Sequence, residues 1–196
     1  MIKIKSALEI AMEKVNEINK LTIEEKDKIK DLEKIKSSLA KYYKGRLTSE
    51  GLYSKLKGVN PYSLKEAQLI LINSVSLKLS EDEFELRKKG ILAIESLKEE
   101  KNISIFESNL NEINQLQKKY LKIKDTIANK LKIEIEKNPK SRVKTVKQGD
   151  NIIVIQLSVE EALNENSQWK NFLIKHDEEF GQKFVDIIKR LKEDIH

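Results

Sequence analysis

The residues best suited to metal or acid–base chemistry are few and form no recognisable site. The chain has two histidines and no cysteine, so it offers no thiolate ligands, no disulfides and no thiol chemistry. The sequence HDEE at residues 176–179 is the densest group of possible metal ligands. Consecutive residues on a helix point in different directions, however, and cannot share one metal ion. We therefore expect this group to be a solvated helix start.

Catalytic motifs that depend on glycine or on a nucleophile are also missing. The sequence contains neither a glycine-rich phosphate loop nor a Gly-x-Ser-x-Gly nucleophile elbow. Glutamates are abundant, but nothing isolates a carboxylate pair whose surroundings would separate their pKa values, as acid–base catalysis requires. We predict that the protein is not an enzyme, and we predict no cofactor and no metal.

Basic residues are the remaining chemical feature, and they are concentrated in residues 118–147. This block has 11 basic and 3 acidic residues, whereas the rest of the chain has 27 basic and 29 acidic residues. Such a block can neutralise phosphates in a salt-sensitive way. It contains one arginine and one aromatic residue, Tyr120, which disfavours base-specific readout and base stacking. The candidate nucleic-acid-binding residues are Lys118, Lys119, Lys122, Lys124, Lys130, Lys132, Arg142, Lys144 and Lys147.

Two other interpretations of the basic block stay open. It can be a solvated helix face, or it can meet acidic residues of the same protein, for which residues 80–85 and 177–179 are candidates.

A second candidate for DNA recognition is residues 49–71, where Ser54, Gly58 and Asn60–Pro61 have a spacing similar to that of a helix-turn-helix. The same spacing fits a plain helical corner, and the second helix offers few polar residues to a groove.

The elements that would position these residues are mostly helices. Capping boxes mark helix starts at Ser6/Glu9, Thr22/Glu25, Ser63/Glu66, Ser80/Glu83, Ser104/Glu107 and Ser158/Glu161. Asn60–Pro61 competes with Ser63 for one of these starts. With the apolar spacing, these signals predict helices over 6–19, 22–44, 49–57, 61–79, 81–100, 103–137, 158–166 and 168–195, the last with a break near 175–177.

The predicted helix over 103–137 is long for a protein of this size. It would span roughly 50 Å, whereas a compact monomer is about 40 Å across. The helix must therefore break, project or lie against a second subunit. Its apolar seam comprises Phe106, Leu110, Ile113, Tyr120, Ile127 and Leu131, with Gln117 and Lys124 as polar gaps.

The stretch VKTVKQGDNIIVIQL, residues 143–157, reads as a β-hairpin, placed at about 142–157. A two-residue turn at Gly149–Asp150 would pair Val146 with Ile153 and Lys144 with Ile155. The second strand is apolar on both faces, and two strands alone are marginal in water. It therefore folds over its own helices, forms a four-stranded sheet with a second copy, or accepts another partner's strand. The predicted interaction residues are Ile152, Ile153, Val154, Ile155 and Leu157.

These features predict a mainly α protein: a helical bundle with one long helix and one hairpin. We divide it into an N-terminal bundle, 1–100, and a part with the long helix, hairpin and C-terminal helices, 101–196, which together form one compact unit. With 39% apolar and 36% charged residues, no membrane-length apolar run and no signal peptide, we expect a cytoplasmic protein without membrane contact.

The opening stretch, about residues 2–14 and including IKSALEIAMEK at 4–14, resembles a bacterial family of small helical proteins grouped as a domain of unknown function. The resemblance implies an uncharacterised bacterial protein and carries no activity, ligand or site. The leading functional hypothesis is a non-enzymatic protein that acts through protein–protein interaction or self-association, as a homo-oligomer that we expect to be a dimer. The alternative is non-specific nucleic-acid binding by residues 118–147.

Overall fold

A computed structural model of the chain describes residues 22–148 and 151–195. Over these residues the chain is mainly α-helical with one two-stranded antiparallel hairpin, which confirms the predicted fold class. A 3₁₀ turn, Pro139–Arg142, precedes the hairpin. The helices are α1 (Ile23–Tyr43), α2 (Ser49–Leu56), α3 (Pro61–Asn73), α4 (Glu81–Glu95), α5 (Ile103–Lys137), α6 (Val159–Glu165) and α7 (Ser167–Glu193), and the strands are β1 (Val143–Gln148) and β2 (Asn151–Gln156). The predicted helix over 6–19 lies outside the described residues.

Capping boxes set three of the helix starts, as predicted. At Thr22/Glu25, Ser80/Glu83 and Ser158/Glu161, the hydroxyl accepts the glutamate's N–H while the glutamate side chain accepts the N–H of the capping residue. The predicted box at Ser63/Glu66 is wrong, because the Asn60 side chain caps α3 by accepting the Ser63 N–H. Ser104 lies inside α5, which begins at Ile103.

Two predicted helices end earlier than expected. Helix α3 stops at Asn73 because the Ser74 hydroxyl donates to the Leu71 carbonyl and the Ser74 carbonyl accepts from Arg87 Nε. Helix α4 stops at Glu95, where tighter bonds from Leu97 N–H to Ile94 O and from Lys98 N–H to Glu95 O follow. In α7 the predicted break near 175–177 is wrong, since the helix continues to Glu193.

Residues 22–75, 80–107 and 194–195 belong to one compact unit. Its core lies among α1 to α4 and includes Ile35, Leu39, Leu52, Leu71 and Ile91, all buried. Tyr42 of α1 reaches across the unit and donates from its hydroxyl to the Leu86 carbonyl of α4. Gly90 faces this ring so closely that a Cβ there would lie 2.8 Å from Tyr42 Cε1.

Residues 76–79 and 108–193 belong to the second compact unit, which holds the hairpin, α6, α7 and most of α5. One apolar cluster contains Leu131, Ile135, Ala162, Leu163 and Trp169. A second contains Leu77, Tyr120 and Phe180. Helix α5 is continuous, so the alternative in which it breaks is excluded. Gln117, one of the two polar residues that interrupt the predicted apolar seam of α5, is buried. Its Nε2 donates to the Ser76 carbonyl at 2.6 Å, which satisfies the buried amide.

Candidate interaction surface

The hairpin of β1 and β2 has the predicted register. Val146 is opposite Ile153 and Lys144 is opposite Ile155, which confirms both predicted pairs. The expected turn residues, Gly149 and Asp150, lie outside the described residues. Because side chains alternate between the two faces of a strand, Val143, Val154 and Ile152 share one face, and Val146, Ile153 and Ile155 share the other.

Apolar side chains are exposed on both faces of this hairpin. Ile152 and Val154 each keep 66% of their surface exposed. On the opposite face Ile153 keeps 40% and Ile155 keeps 38% exposed. Within the described residues neither face is fully covered, and the face of Ile153 and Ile155 is the more buried of the two. All three arrangements expected for the hairpin, over its own helices, with a second copy or with another partner's strand, stay predictions.

Leu157 does not belong to this exposed surface, which corrects its prediction as an interaction residue. It follows the end of β2, is half-buried and packs against the Leu131–Trp169 cluster. Its N–H donates to the Arg142 carbonyl at 2.7 Å, and Arg142 Nε donates to the Leu157 carbonyl at 2.8 Å. Arg142 lies in the 3₁₀ turn, not in a strand. These two residues tie the base of the hairpin to its unit.

The outer edge of β2 has unused backbone hydrogen-bonding groups. The Leu157–Arg142 bond makes these two residues a hydrogen-bonded pair, and such pairs alternate with non-hydrogen-bonded ones along an antiparallel ladder. The pairs Lys144–Ile155 and Val146–Ile153 are therefore also hydrogen-bonded. It follows that the N–H and C=O groups of Ile152, Val154 and Gln156 point away from β1. Among the described residues, none bonds to these groups.

The predicted nucleic-acid-binding residues are distributed over α5, the 3₁₀ turn and β1. Lys118, Lys119, Lys122 and Lys130 are exposed on α5, whereas Lys124 and Lys132 are half-buried there. At 100° per residue, the four exposed lysines fall within one third of the helix circumference. Exposed Asp125 lies next to them. The side chain of Lys147 lies outside the described part of the chain.

Some of this positive charge is already paired. Lys132 Nζ bonds Glu160 Oε1 of α6, and Lys144 Nζ bonds Glu165 Oε1 at 2.7 Å. The Lys144 hydrogen bond and charge hold the pKa of Glu165 below its usual range. Intramolecular pairing was one of the expectations, with residues 80–85 and 177–179 as candidate partners. The ion pairs of Lys132 and Lys144 go to the α6 glutamates instead, while the charges of Lys124 and Lys119 contribute to lowering the pKa values of Asp177 and Glu179.

The HDEE group is not a solvated helix start, which corrects the prediction for residues 176–179. It lies within α7, and His176 is buried between the rings of Tyr120, Phe172 and Phe180. Its Nε2 is 3.0 Å from the Tyr120 carbonyl oxygen. The Tyr120 hydroxyl donates to Asp177 and lowers the pKa of that carboxyl, with further lowering by Lys78 and Lys124. Among the described residues, no group of three or more His, Cys, Asp or Glu could hold a metal ion.

The possible helix-turn-helix is a corner between α2 and α3. Gly58 has a φ of +80°, which suits glycine at this turn. The N–H and side-chain amide of Asn60 both donate to Asp31 of α1, so the turn packs on that helix. Two of the few polar residues that the second helix could offer to a groove, Ser63 and Gln68, are buried. They cannot contact DNA in this structure, which favours the plain helical corner.

A protein-family model described as "Family of unknown function (DUF6657)" matches residues 50–196. The match covers most of the chain, so the chain belongs to this uncharacterised family. It includes the hairpin and the basic block but begins well after residues 2–14, and therefore does not bear on the resemblance of that opening stretch. No curated protein and no solved structure matches the chain. Within the described residues, none of the helices combines the length and apolar composition of a membrane span.

Proposed function

We propose that this member of the DUF6657 family is a non-enzymatic protein that works by self-association, forming a dimer through its hairpin. The observation that carries this proposal is the exposure of apolar side chains on both faces of β2, with 66% of Ile152 and of Val154 accessible. The proposal places the protein in the cytoplasm. The chain has no cysteine, and proteins of this reducing compartment are stable without disulfide bonds.

The energetics of a two-stranded sheet support a partner for the hairpin. Two strands alone are marginal in water, whereas three or more strands with a covered face are stable. Full burial of one valine or isoleucine side chain contributes about 1.5–3 kcal/mol. Burial of even part of Val154 and its neighbours in a dimer would therefore offset a useful share of the cost of association.

Sedimentation over a concentration series tests self-association. The wild-type chain should shift from monomer to dimer, and Val154→Asp should stay monomeric because it places a charge on the apolar surface. The matched control is Val185→Asp in α7, where the valine is also exposed, at 56%. This control should dimerise like the wild type. Circular dichroism should show that both variants are folded.

Two results would contradict the proposal. One is a wild-type chain that remains monomeric at every concentration. The other is a folded Val154→Asp variant that dimerises as the wild type does. Val154 contributes nothing to the two apolar clusters of its unit, so the substitution should leave the fold intact and the comparison interpretable.

Non-specific nucleic-acid binding is the second candidate function. It is supported by the exposure of Lys118, Lys119, Lys122 and Lys130 along one side of α5. It is weakened by the ion pairs that hold Lys132 and Lys144 against α6. A basic surface with few arginines suits backbone contacts and not base-specific readout.

A further inference from the structure

We infer that the partner strand is β2 of a second copy, paired antiparallel to β2 of the first, with a two-fold axis at Val154. The product is a four-stranded sheet in the order β1-β2-β2-β1. This inference rests on the proposed self-association and adds to it the edge, the direction and the register.

The edge that pairs in this arrangement is that of β2. Strand β2, with the sequence NIIVIQ, carries no charge, whereas β1, with the sequence VKTVKQ, carries Lys144 and Lys147. Lysines on an edge strand oppose pairing with another strand. Pairing through β1 would bring lysines of two copies close together. Pairing through β2 instead keeps both β1 strands, with their lysine positions, on the two outer edges of the sheet.

The two β2 strands run antiparallel to each other. A homodimer with two-fold symmetry uses the same surface on both copies, so that each contact occurs twice. When two identical strand edges pair about an axis perpendicular to the sheet, they run antiparallel. Antiparallel pairing also continues the ladder that β1 and β2 already form.

The register of the two β2 strands follows from their free backbone groups. The outward N–H and C=O groups belong to Ile152, Val154 and Gln156, as the Leu157–Arg142 bond requires. With the axis at Val154, Val154 pairs with itself, and Ile152 pairs with Gln156 of the second copy. All the outward groups of β2 are then satisfied. An axis at Ile153 would leave Gln156 unpaired, and an axis at Ile155 would leave Ile152 unpaired.

The side chains are compatible with this register. Ile153 lies opposite Ile155 of the second copy on one face, and the two Val154 side chains meet on the other. Both are apolar pairs of the kind that stabilise cross-strand contacts. Pairing of two short edges belongs to the class of small interfaces, below roughly 1,200 Å², that associate weakly. We therefore expect a dimer with micromolar affinity.

Single cysteines test the edge directly, because the chain has no cysteine of its own. Under mild oxidation of the full chain, Val154→Cys should form a covalent dimer, since its two Cα atoms would be about 5.5 Å apart, within disulfide range. The matched control is Thr145→Cys, which lies directly opposite Val154 on β1. In the inferred sheet its two copies are three strand spacings apart, about 14 Å, and should not cross-link.

A mixture of variants tests the register. Ile153→Cys and Ile155→Cys should form a mixed disulfide faster together than either forms with itself, because each faces the other across the axis. Cross-linking of Thr145→Cys in place of Val154→Cys would overturn the inferred edge. If no hairpin cysteine cross-links while ultracentrifugation still shows a dimer that Val154→Asp disrupts, the inference fails and the proposed self-association stands. A chain that is monomeric throughout would overturn both.

Discussion

At the scale of single residues, the most constrained group is the buried carboxylate of Glu95. It accepts hydrogen bonds from Gln68 Nε2 at 2.7 Å and from the Asn102 N–H at 2.8 Å. It also lies 2.9 Å from Lys98 Nζ, and both side chains of this ion pair are buried. Among the described residues, the Lys98 ammonium makes no bond of full hydrogen-bond geometry. The carboxylate therefore has two hydrogen-bond donors besides the ammonium, whereas the ammonium has Glu95 as its counter-charge and otherwise, within the described part of the chain, only the ring of Phe106, 5.6 Å from Nζ to the ring centroid.

This asymmetry predicts unequal losses of stability. Glu95→Gln leaves a buried ammonium without a counter-charge and should lower the free energy of unfolding by about 3–5 kcal/mol. Lys98→Met should cost less, because Glu95 keeps the donors of Gln68 and Asn102. The double variant should be more stable than the sum of the single losses implies, since it removes both charges.

Urea unfolding of the four proteins, wild type, both single variants and the double variant, measures this difference as a double-mutant cycle. Equal losses for the two single variants would contradict the asymmetry. Additive losses in the double variant would show that Glu95 and Lys98 are not coupled.

At the scale of elements, two glycines inside helices are expected to respond in opposite ways. A Cβ at Gly90 of α4 would lie 2.8 Å from Tyr42 Cε1 and 3.2 Å from Leu71 Cδ1. The Tyr42 ring is held by its hydrogen bond to Leu86 and cannot move freely. A Cβ at Gly181 of α7 would meet no atom within 4 Å.

We predict that Gly90→Ala destabilises the chain by roughly 1–3 kcal/mol, the usual cost of overpacking. Gly181→Ala should instead stabilise it by up to about 1 kcal/mol, because alanine is the better helix former. Thermal or urea unfolding of both variants measures these two changes in the free energy of unfolding. A stabilising Gly90→Ala would mean that α4 can shift away from α1 at little cost.

Local signals in the sequence account for much of this architecture. Capping at Thr22, Ser80 and Ser158 and the bounds of α5 could be predicted, because each depends on residues within one or two helical turns. The pairing of Val146 with Ile153 could be predicted from turn length. The candidate surface was also visible in the sequence, as a strand with apolar residues on both faces.

Features that depend on distant partners could not be predicted. Helix α3 ends where Arg87, 13 positions along the chain, donates to the Ser74 carbonyl. His176 is buried because α7 places it against Tyr120 of α5, 56 positions away. Leu157 continues the apolar pattern of β2, and only its packing against the Leu131–Trp169 cluster distinguishes it from the exposed strand. In each case the local sequence is compatible with more than one structure, and contacts between residues far apart in the chain select the one that forms.

At the scale of the whole molecule, the net charge of +6 overstates the charge available to a polyanion. Lys132 and Lys144 are paired with glutamates, and exposed Asp125, Glu134 and Glu136 are interleaved with the lysines of α5. Surface pairs of this kind contribute little to stability. They do reduce the local positive potential that a phosphate backbone would meet.

Binding of random duplex DNA, followed by fluorescence anisotropy over a salt series, should therefore be weak and limited to low salt. If the exposed lysines of α5 neutralise about four phosphates, the slope of log affinity against log salt should be about −3.6. Reversal of Lys119, Lys122 and Lys130 to glutamate should abolish the binding, whereas Glu160→Gln and Glu165→Gln should strengthen it by releasing Lys132 and Lys144. A much steeper slope in the wild type would show that the ion pairs open on DNA, and nucleic-acid binding would then replace self-association as the leading function. Binding that persists in the lysine variant would place the contact elsewhere on the chain.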